Sequence, residues 1–171
     1  MALSYTFPIK DKYFITSPFG SRTAPTAGAS TNHQGVDISV PVGTNVYAAA
    51  AGTITKSGYS SARGNYVEIN HGNGSTTLYQ HLSKAVTKIG DTVKQGQVIA
   101  KSGNSGISTG PHLHFEMMQN GKAVNPLVGI TSNETTEEGI LSNVNTDSIL
   151  DFIKDKWWLI AGGLVLVAVL K

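Results

Sequence analysis

An all-β fold with an antiparallel sheet core and an open groove is what this sequence predicts, and three observations carry the prediction. Short runs of β-branched and aromatic residues follow one another from position 33 to position 118, turn-forming segments rich in glycine separate them, and no long amphipathic helix competes. The chain has 171 residues, of which 40% are hydrophobic, 8% aromatic and 19 are glycine, which suits one core rich in turns rather than two large domains.

In chain order, the first element is the run 33–40. His33 and Asp37 stand four apart, which shares a face in either a helix or a strand, so the neighbours decide. Gly35 lies between them, Val36, Ile38 and Val40 alternate with polar positions, and Pro41-Val42-Gly43 closes the run in a turn, all of which favours a strand. His33 and Asp37 are then expected to face a site, with Val36 and Ile38 facing the core. Strands follow at 45–49, 52–55, 65–69, 75–79 and 97–100. The last, 112–118, places His112, His114 and Glu116 on one face and Leu113, Phe115 and Met117 on the other. Gly43-Thr44-Asn45-Val46 with Gly52-Thr53-Ile54 is echoed by Gly90-Asp91-Thr92-Val93 with Gly96-Gln97-Val98-Ile99, a faint internal repeat. The Gly/Ser-rich stretches 21–31 and 57–64 are expected to be loops on the rim of the groove, where substrate specificity would lie.

Four of the five histidines fall in three short segments, His33 to Asp37, Tyr79 to Leu82, and Pro111 to Glu116. Such a grouping suits one zinc ion, which hydrolases hold with three His or carboxylate ligands and an open fourth position for water. Two of the segments supply such ligands. Cysteine is absent, so nitrogen and oxygen must do the holding. His71, among Asn and Gly neighbours, reads as a hairpin-turn residue, Asp11 and Glu68 as solvated carboxylates, and Asp91 as a turn residue capping local donors. Glu116 has two readings, an acceptor that orients an imidazole or a strand-end carboxylate paired with a lysine.

Gly35-Val36-Asp37-Ile38, the stretch Pro41 to Ala49, and Ser108-Thr109-Gly110-Pro111-His112-Leu113-His114-Phe115-Glu116 resemble the lysostaphin-type (M23) zinc metallopeptidases, from about Phe7 to Pro126. The resemblance implies the duplicated, hammerhead-turned core that M23 domains share with biotinyl and lipoyl domains. It further implies that His33, Asp37 and His114 bind Zn2+, that His81 and His112 are the catalytic pair, and that the substrate is a peptide cross-link of cell-wall peptidoglycan. Every position of that pattern is filled here. No H-E-x-x-H occurs, so histidine replaces the glutamate base of that other class. His112 is assigned general base and His81 transition-state stabiliser, since imidazole titrates near neutral pH and either exchanges a proton with water or donates to an oxyanion.

Charge marks the expected boundaries. Residues 1–130, the peptidase-like domain, carry ten Lys plus Arg against five Asp plus Glu, a balance drawn to an anionic polymer. The basic residues are scattered and no nucleic-acid motif accompanies them, which argues against nucleic acid as a partner. Residues 131–150 read as an acidic polar linker. Residues 151–171 read as a C-terminal hydrophobic, transmembrane helix, with fourteen uncharged residues at 157–170, two tryptophans at its start and lysines at both ends. Residues 1–10 show no basic start and no apolar run of signal-peptide length, so a route to the wall without a secretion leader is expected. Together these suggest a membrane-anchored virion or lysis enzyme of a phage, with lipid and other virion proteins as partners. A bacterial tail-anchored endopeptidase is the second setting. A non-catalytic module that activates a partner hydrolase is the third reading, disfavoured because such modules lack zinc ligands.

Overall fold

The computed structural model describes residues 4–130. Its strands in order are β1 (Phe14–Ser17), β2 (Gly20–Ser21), β3 (Asn32–His33), β4 (Val36–Ser39), β5 (Asn45–Tyr47) and β6 (Gly52–Ser60). There follow β7 (Gly64–Gly72), β8 (Ser75–Leu82), β9 (Lys84–Ala85), β10 (Thr92–Val93), β11 (Val98–Lys101), β12 (His112–Gln119), β13 (Lys122–Val124) and one short helix, α1 (Pro126–Gly129). The main sheet runs β1-β4-β12-β8-β7-β6-β10, with β13 pairing β12; β5-β11-β9 forms a second sheet and β2-β3 a ribbon. Their ladders are antiparallel, as expected.

Alternation builds the core. Val36 and Ile38 of β4, Val67 and Ile69 of β7, and Leu113, Phe115 and Met117 of β12 are all buried, and the Tyr79 and Phe115 rings pack 5.2 Å apart. Each large apolar side chain buried this way contributes about 1.5–3 kcal/mol. The same ladders position the polar faces. His114 lies opposite Asp37 on one neighbour and opposite Gln80 on the other, and His112 lies opposite Ser39.

The internal echo reappears as reciprocal pairing. The first strand of the first repeat, β5, pairs β11 of the second, and the first strand of the second, β10, pairs β6 of the first. Turn hydrogen bonds match as well. Gly43 N donates to Ser102 O while Ser102 N donates to Thr44 O, and Gly90 N donates to Ile54 O while Ile54 N donates to Asp91 O, each at 2.9 Å. Gly43 and Gly90 share a φ of 92°, which an L side chain resists.

Several expectations are corrected. The fold does not include the expected C-terminal hydrophobic helix: among the described residues the only helix is the four-residue α1, capped by the Asn125 side chain, and none is long and apolar enough to cross a membrane. The run behind that expectation, 157–170, lies outside the described residues, as does the 131–150 linker. Its length was already marginal, since fourteen residues at about 1.5 Å each cover about 21 Å of a hydrocarbon core of about 30 Å. The run from His33 is not one strand but two, because the chain crosses so close to β12 at Gly35 that a Cβ there would stand 2.3 Å from the Phe115 carbonyl oxygen. Of the expected rim loop 57–64, Ser57 to Ser60 belong to β6 and only a tight turn remains. His71 is not a turn residue; it is buried in β7, donating Nδ1–H to Ala51 O and meeting Thr77 Oγ1 at 2.7 Å, and burial lowers its pKa despite the Ala51 bond. Glu68 is partly buried and holds Lys56 at 2.9 Å and Thr55, so it is not a solvated carboxylate. Asp91 does cap a turn, accepting from Lys88 N.

Candidate active site

Four strands bring five predicted residues to one wall of a groove of about 790 Å³. His33 arrives from β3, Asp37 from β4, and His112 and His114 from β12. His81 comes from the end of β8 at a φ of 60°, a left-handed conformation uncommon outside glycine. That kink breaks the alternation of β8, so Gln80 and His81 both line the groove.

His33 Nε2, His114 Nδ1 and Asp37 Oδ1 converge. The two nitrogens are 3.0 Å apart, and Asp37 Oδ1 lies 3.2 Å from His33 Nε2 and 2.7 Å from His114 Nδ1. Ligands about 2.0–2.1 Å from a tetrahedral ion stand about 3.3 Å apart, so the separations fit one small cation. The tautomers fit too. His33 Nδ1 is 2.7 Å from the Pro18 carbonyl oxygen, which can only accept, so that nitrogen carries the proton and Nε2 is a bare lone pair. His114 Nε2 donates to Glu116 Oε1 at 2.9 Å, leaving Nδ1 bare in the same way. Of the two readings of Glu116, orienting an imidazole is the one observed. Glu116 also accepts from Gln80 Nε2 at 2.7 Å.

Three acceptors facing one another repel unless a cation joins them. Burial disfavours charge on His114, yet the hydrogen bonds and charges of Asp37 and Glu116 outweigh it and raise its pKa, so the pocket favours positive charge. Burial likewise pushes the Asp37 carboxyl up, but the His114 and His33 rings, which can donate to it only when protonated, and the Arg22 guanidinium hold it well below the usual carboxylate range. The donor set of two imidazoles and a carboxylate, with carboxylate and carbonyl acceptors behind the rings, suits zinc.

His81 and His112 stand beside this cluster, their rings 4.7 Å apart. His81 donates Nδ1–H to Ser105 O at 2.7 Å and His112 donates Nδ1–H to Gly110 O at 2.8 Å, so each neutral ring offers its Nε2 lone pair as an acceptor. Burial pushes the His81 imidazole down to about 4; the Ser105 bond opposes this, and the nearby His112 and His114 reinforce it. His112 Nε2 lies 3.7 Å from Asp37 Oδ1.

Sequence reasoning did not single out Arg22 or Gln80 for the site. Arg22 Nη1 binds Asp37 Oδ2 and Ser17 Oγ, each at 2.7 Å, tying the 22–31 loop to the cluster. The strand period was the available signal for Gln80, which faces His114 across the ladder; no spacing announces Arg22.

Residues 31–126 match Peptidase family M23. The chain is 44% identical over 113 residues to the peptidoglycan DD-endopeptidase ShyC of Vibrio cholerae, covering 66% of this chain and 26% of the relative. A zinc-containing peptidase from the same species superposes with a TM-score of 0.67 at 37% identity, covering 71% of this chain and 39% of that one. The catalytic domain of the antimicrobial peptidase lysostaphin from Staphylococcus simulans does so at 0.64 and 36%, covering 70% and 93%. The chain spans roughly a quarter to two-fifths of the length of the curated relatives it matches. A family match that runs from β3 through β13 and takes in every residue of the cluster leaves one conclusion: this chain belongs to peptidase family M23.

Proposed function

We propose that the chain is a zinc endopeptidase that hydrolyses peptide cross-links of bacterial peptidoglycan. One observation carries the reading: three acceptor atoms converge within 3.2 Å beside two imidazoles that both offer Nε2 to the same groove. The peptidoglycan DD-endopeptidase among the relatives supports the substrate class.

In the proposed mechanism His33, Asp37 and His114 hold the metal, and Pro18 and Glu116 fix the rings that hold it. Zinc there supplies a Lewis acid that makes water deprotonate near neutral pH and polarises a carbonyl. An Nε2 lone pair of His81 or His112 accepts the proton as the water oxygen bonds to the scissile carbonyl carbon. The C–N bond then breaks, and the protonated ring returns that proton to the leaving amine. Because burial keeps His81 neutral, it fits the acceptor role better than that of oxyanion donor, the role expected from sequence. The Arg22 guanidinium holds Asp37 Oδ2, so that Oδ1 faces the cluster.

Digesting purified sacculi and identifying the products by mass spectrometry tests the reading. Wild type is expected to convert cross-linked dimers to monomers, and His114→Ala to leave them intact. Dimers untouched by wild type, or cut equally by the variant, would overturn it.

The finer setting, a membrane-associated enzyme of a phage particle, is proposed from composition alone, from the uncharged run 157–170 and its flanking lysines. Liposome flotation of the full chain against one ending at Leu150 tests it. Equal flotation of both would remove the membrane.

A further inference from the structure

The groove contains a second arginine to which the peptidase mechanism gives no task. Arg22 is engaged by Asp37, whereas Arg63 lines the same groove and its guanidinium has no carboxylate partner among the described residues. Its side chain rests against the Tyr66 ring, 5.6 Å from guanidinium carbon to ring centroid, which leaves its N–H fork unpaired. Asp37 is the only acidic residue lining the groove among the described residues, and Arg22 offsets it. No lysine lines it either.

Arg63 is also held in place. Its carbonyl oxygen accepts from His81 N at 2.9 Å, its own N–H donates to Ser60 Oγ, and Ala62 O accepts from Ile107 N at 3.1 Å. The next residue, Gly64, has a φ of 62° and is pressed so closely on Ser105 that a Cβ would meet its Oγ at 2.2 Å. Ser105 O in turn takes the Nδ1–H of His81. One packed corner therefore fixes the backbone that carries both the ring that accepts a proton and a cation on the same groove.

We propose that Arg63 reads the charge of the substrate by binding a free carboxylate carried next to the scissile amide. A planar guanidinium fork matches a carboxylate and has nothing to gain from an uncharged chain. The preferred bond is then one whose amide nitrogen stands on the carboxylate-bearing carbon of a diamino diacid, not one inside a glycine bridge. This rests on the peptidase reading and adds to it the residue that selects the cross-link.

The test uses two purified cross-linked muropeptide dimers that differ only in whether that carboxylate is free or amidated, with full-length zinc-loaded wild type, Arg63→Gln and Arg63→Lys. Wild type is expected to cut the free acid about 10-fold or more faster in kcat/KM than the amide. Arg63→Gln is expected to lose that factor on the acid and keep the amide rate within about 3-fold, and Arg63→Lys to fall between. Arg63 is exposed, so the variants are expected to melt with wild type, which separates recognition from folding. Equal rates of wild type on both dimers, or equal losses on both in Arg63→Gln, would overturn the assignment while leaving the peptidase reading intact. No cleavage of either dimer by wild type would overturn both.

Discussion

Glu116 does for His114 what the Pro18 carbonyl does for His33: it takes the proton of the nitrogen that faces away and leaves the other bare. Glu116→Ala is therefore expected to weaken zinc binding by about 10- to 100-fold, read by chelator competition, while also leaving the buried Gln80 amide without its acceptor. An unchanged affinity would remove Glu116 from the site. Arg22→Ala is expected to cost about 10-fold in the same assay, because Asp37 loses the partner that turns Oδ1 inward. His81 carries a pH signature. Its folded value, about 4, lies below the 6.5 usual for an imidazole, so between those limits the unfolded chain binds a proton that the folded one refuses. The stability it contributes is present above about pH 6.5 and is lost as pH falls toward 4. Urea unfolding of the metal-free protein is expected to show the stability of wild type relative to His81→Gln declining from pH 7 to pH 4.5; a constant difference would contradict the buried neutral ring. At this scale the sequence was legible wherever a residue sits on a strand with a period. His112 and His114 share β12 as their spacing said, whereas His33 and Asp37 come from two strands and not from the single strand their spacing suggested. Arg22 stayed hidden because it reaches Asp37 from a loop fifteen residues away, and a loop carries no period.

Gly35 separates β3 from β4 and lets β12 pass within contact of the backbone. Gly35→Ala is expected to destabilise the fold by about 2 kcal/mol or more, since the added methyl meets a main-chain oxygen that cannot turn aside. It should also loosen the register that sets His114 against Asp37, so zinc affinity falls with the melting temperature. A variant as stable and as tight as wild type would contradict this account of the crossing. Elements were legible where polar and apolar residues alternate, as in β4 and β12. They were less so where composition misled. Ser57 to Ser60 look like loop by their Gly and Ser content, yet they pair with Gly64 to Val67 because the long β6–β7 hairpin supplies the partner. His71 looks like turn for the same reason, and only its bonds to Ala51 and Thr77 show why it is buried.

The whole molecule adds a field to the site. Ten basic against five acidic residues over positions 1–130 should draw the domain to an anionic wall, and salt should weaken that attraction over a Debye length of about 8–10 Å. Sacculus binding by a His114→Ala variant is expected to fall steadily from low salt to 0.5 M; binding indifferent to salt would mean that local contacts alone recruit the enzyme. The all-β class and the repeat were readable because reciprocal pairing of β5 with β11 and β6 with β10 needs similar turns at both places, and similar turns leave similar sequence. The expected C-terminal helix rested on hydrophobicity without length, and its run, 157–170, lies outside the described residues. The central claim, one zinc shared by His33, Asp37 and His114, is met most directly by diffraction from zinc-loaded crystals at energies above and below the zinc edge. One anomalous peak about 2.0–2.2 Å from His33 Nε2, Asp37 Oδ1 and His114 Nδ1 is the predicted result. A peak on other residues, or none in protein that still cleaves sacculi, would contradict it.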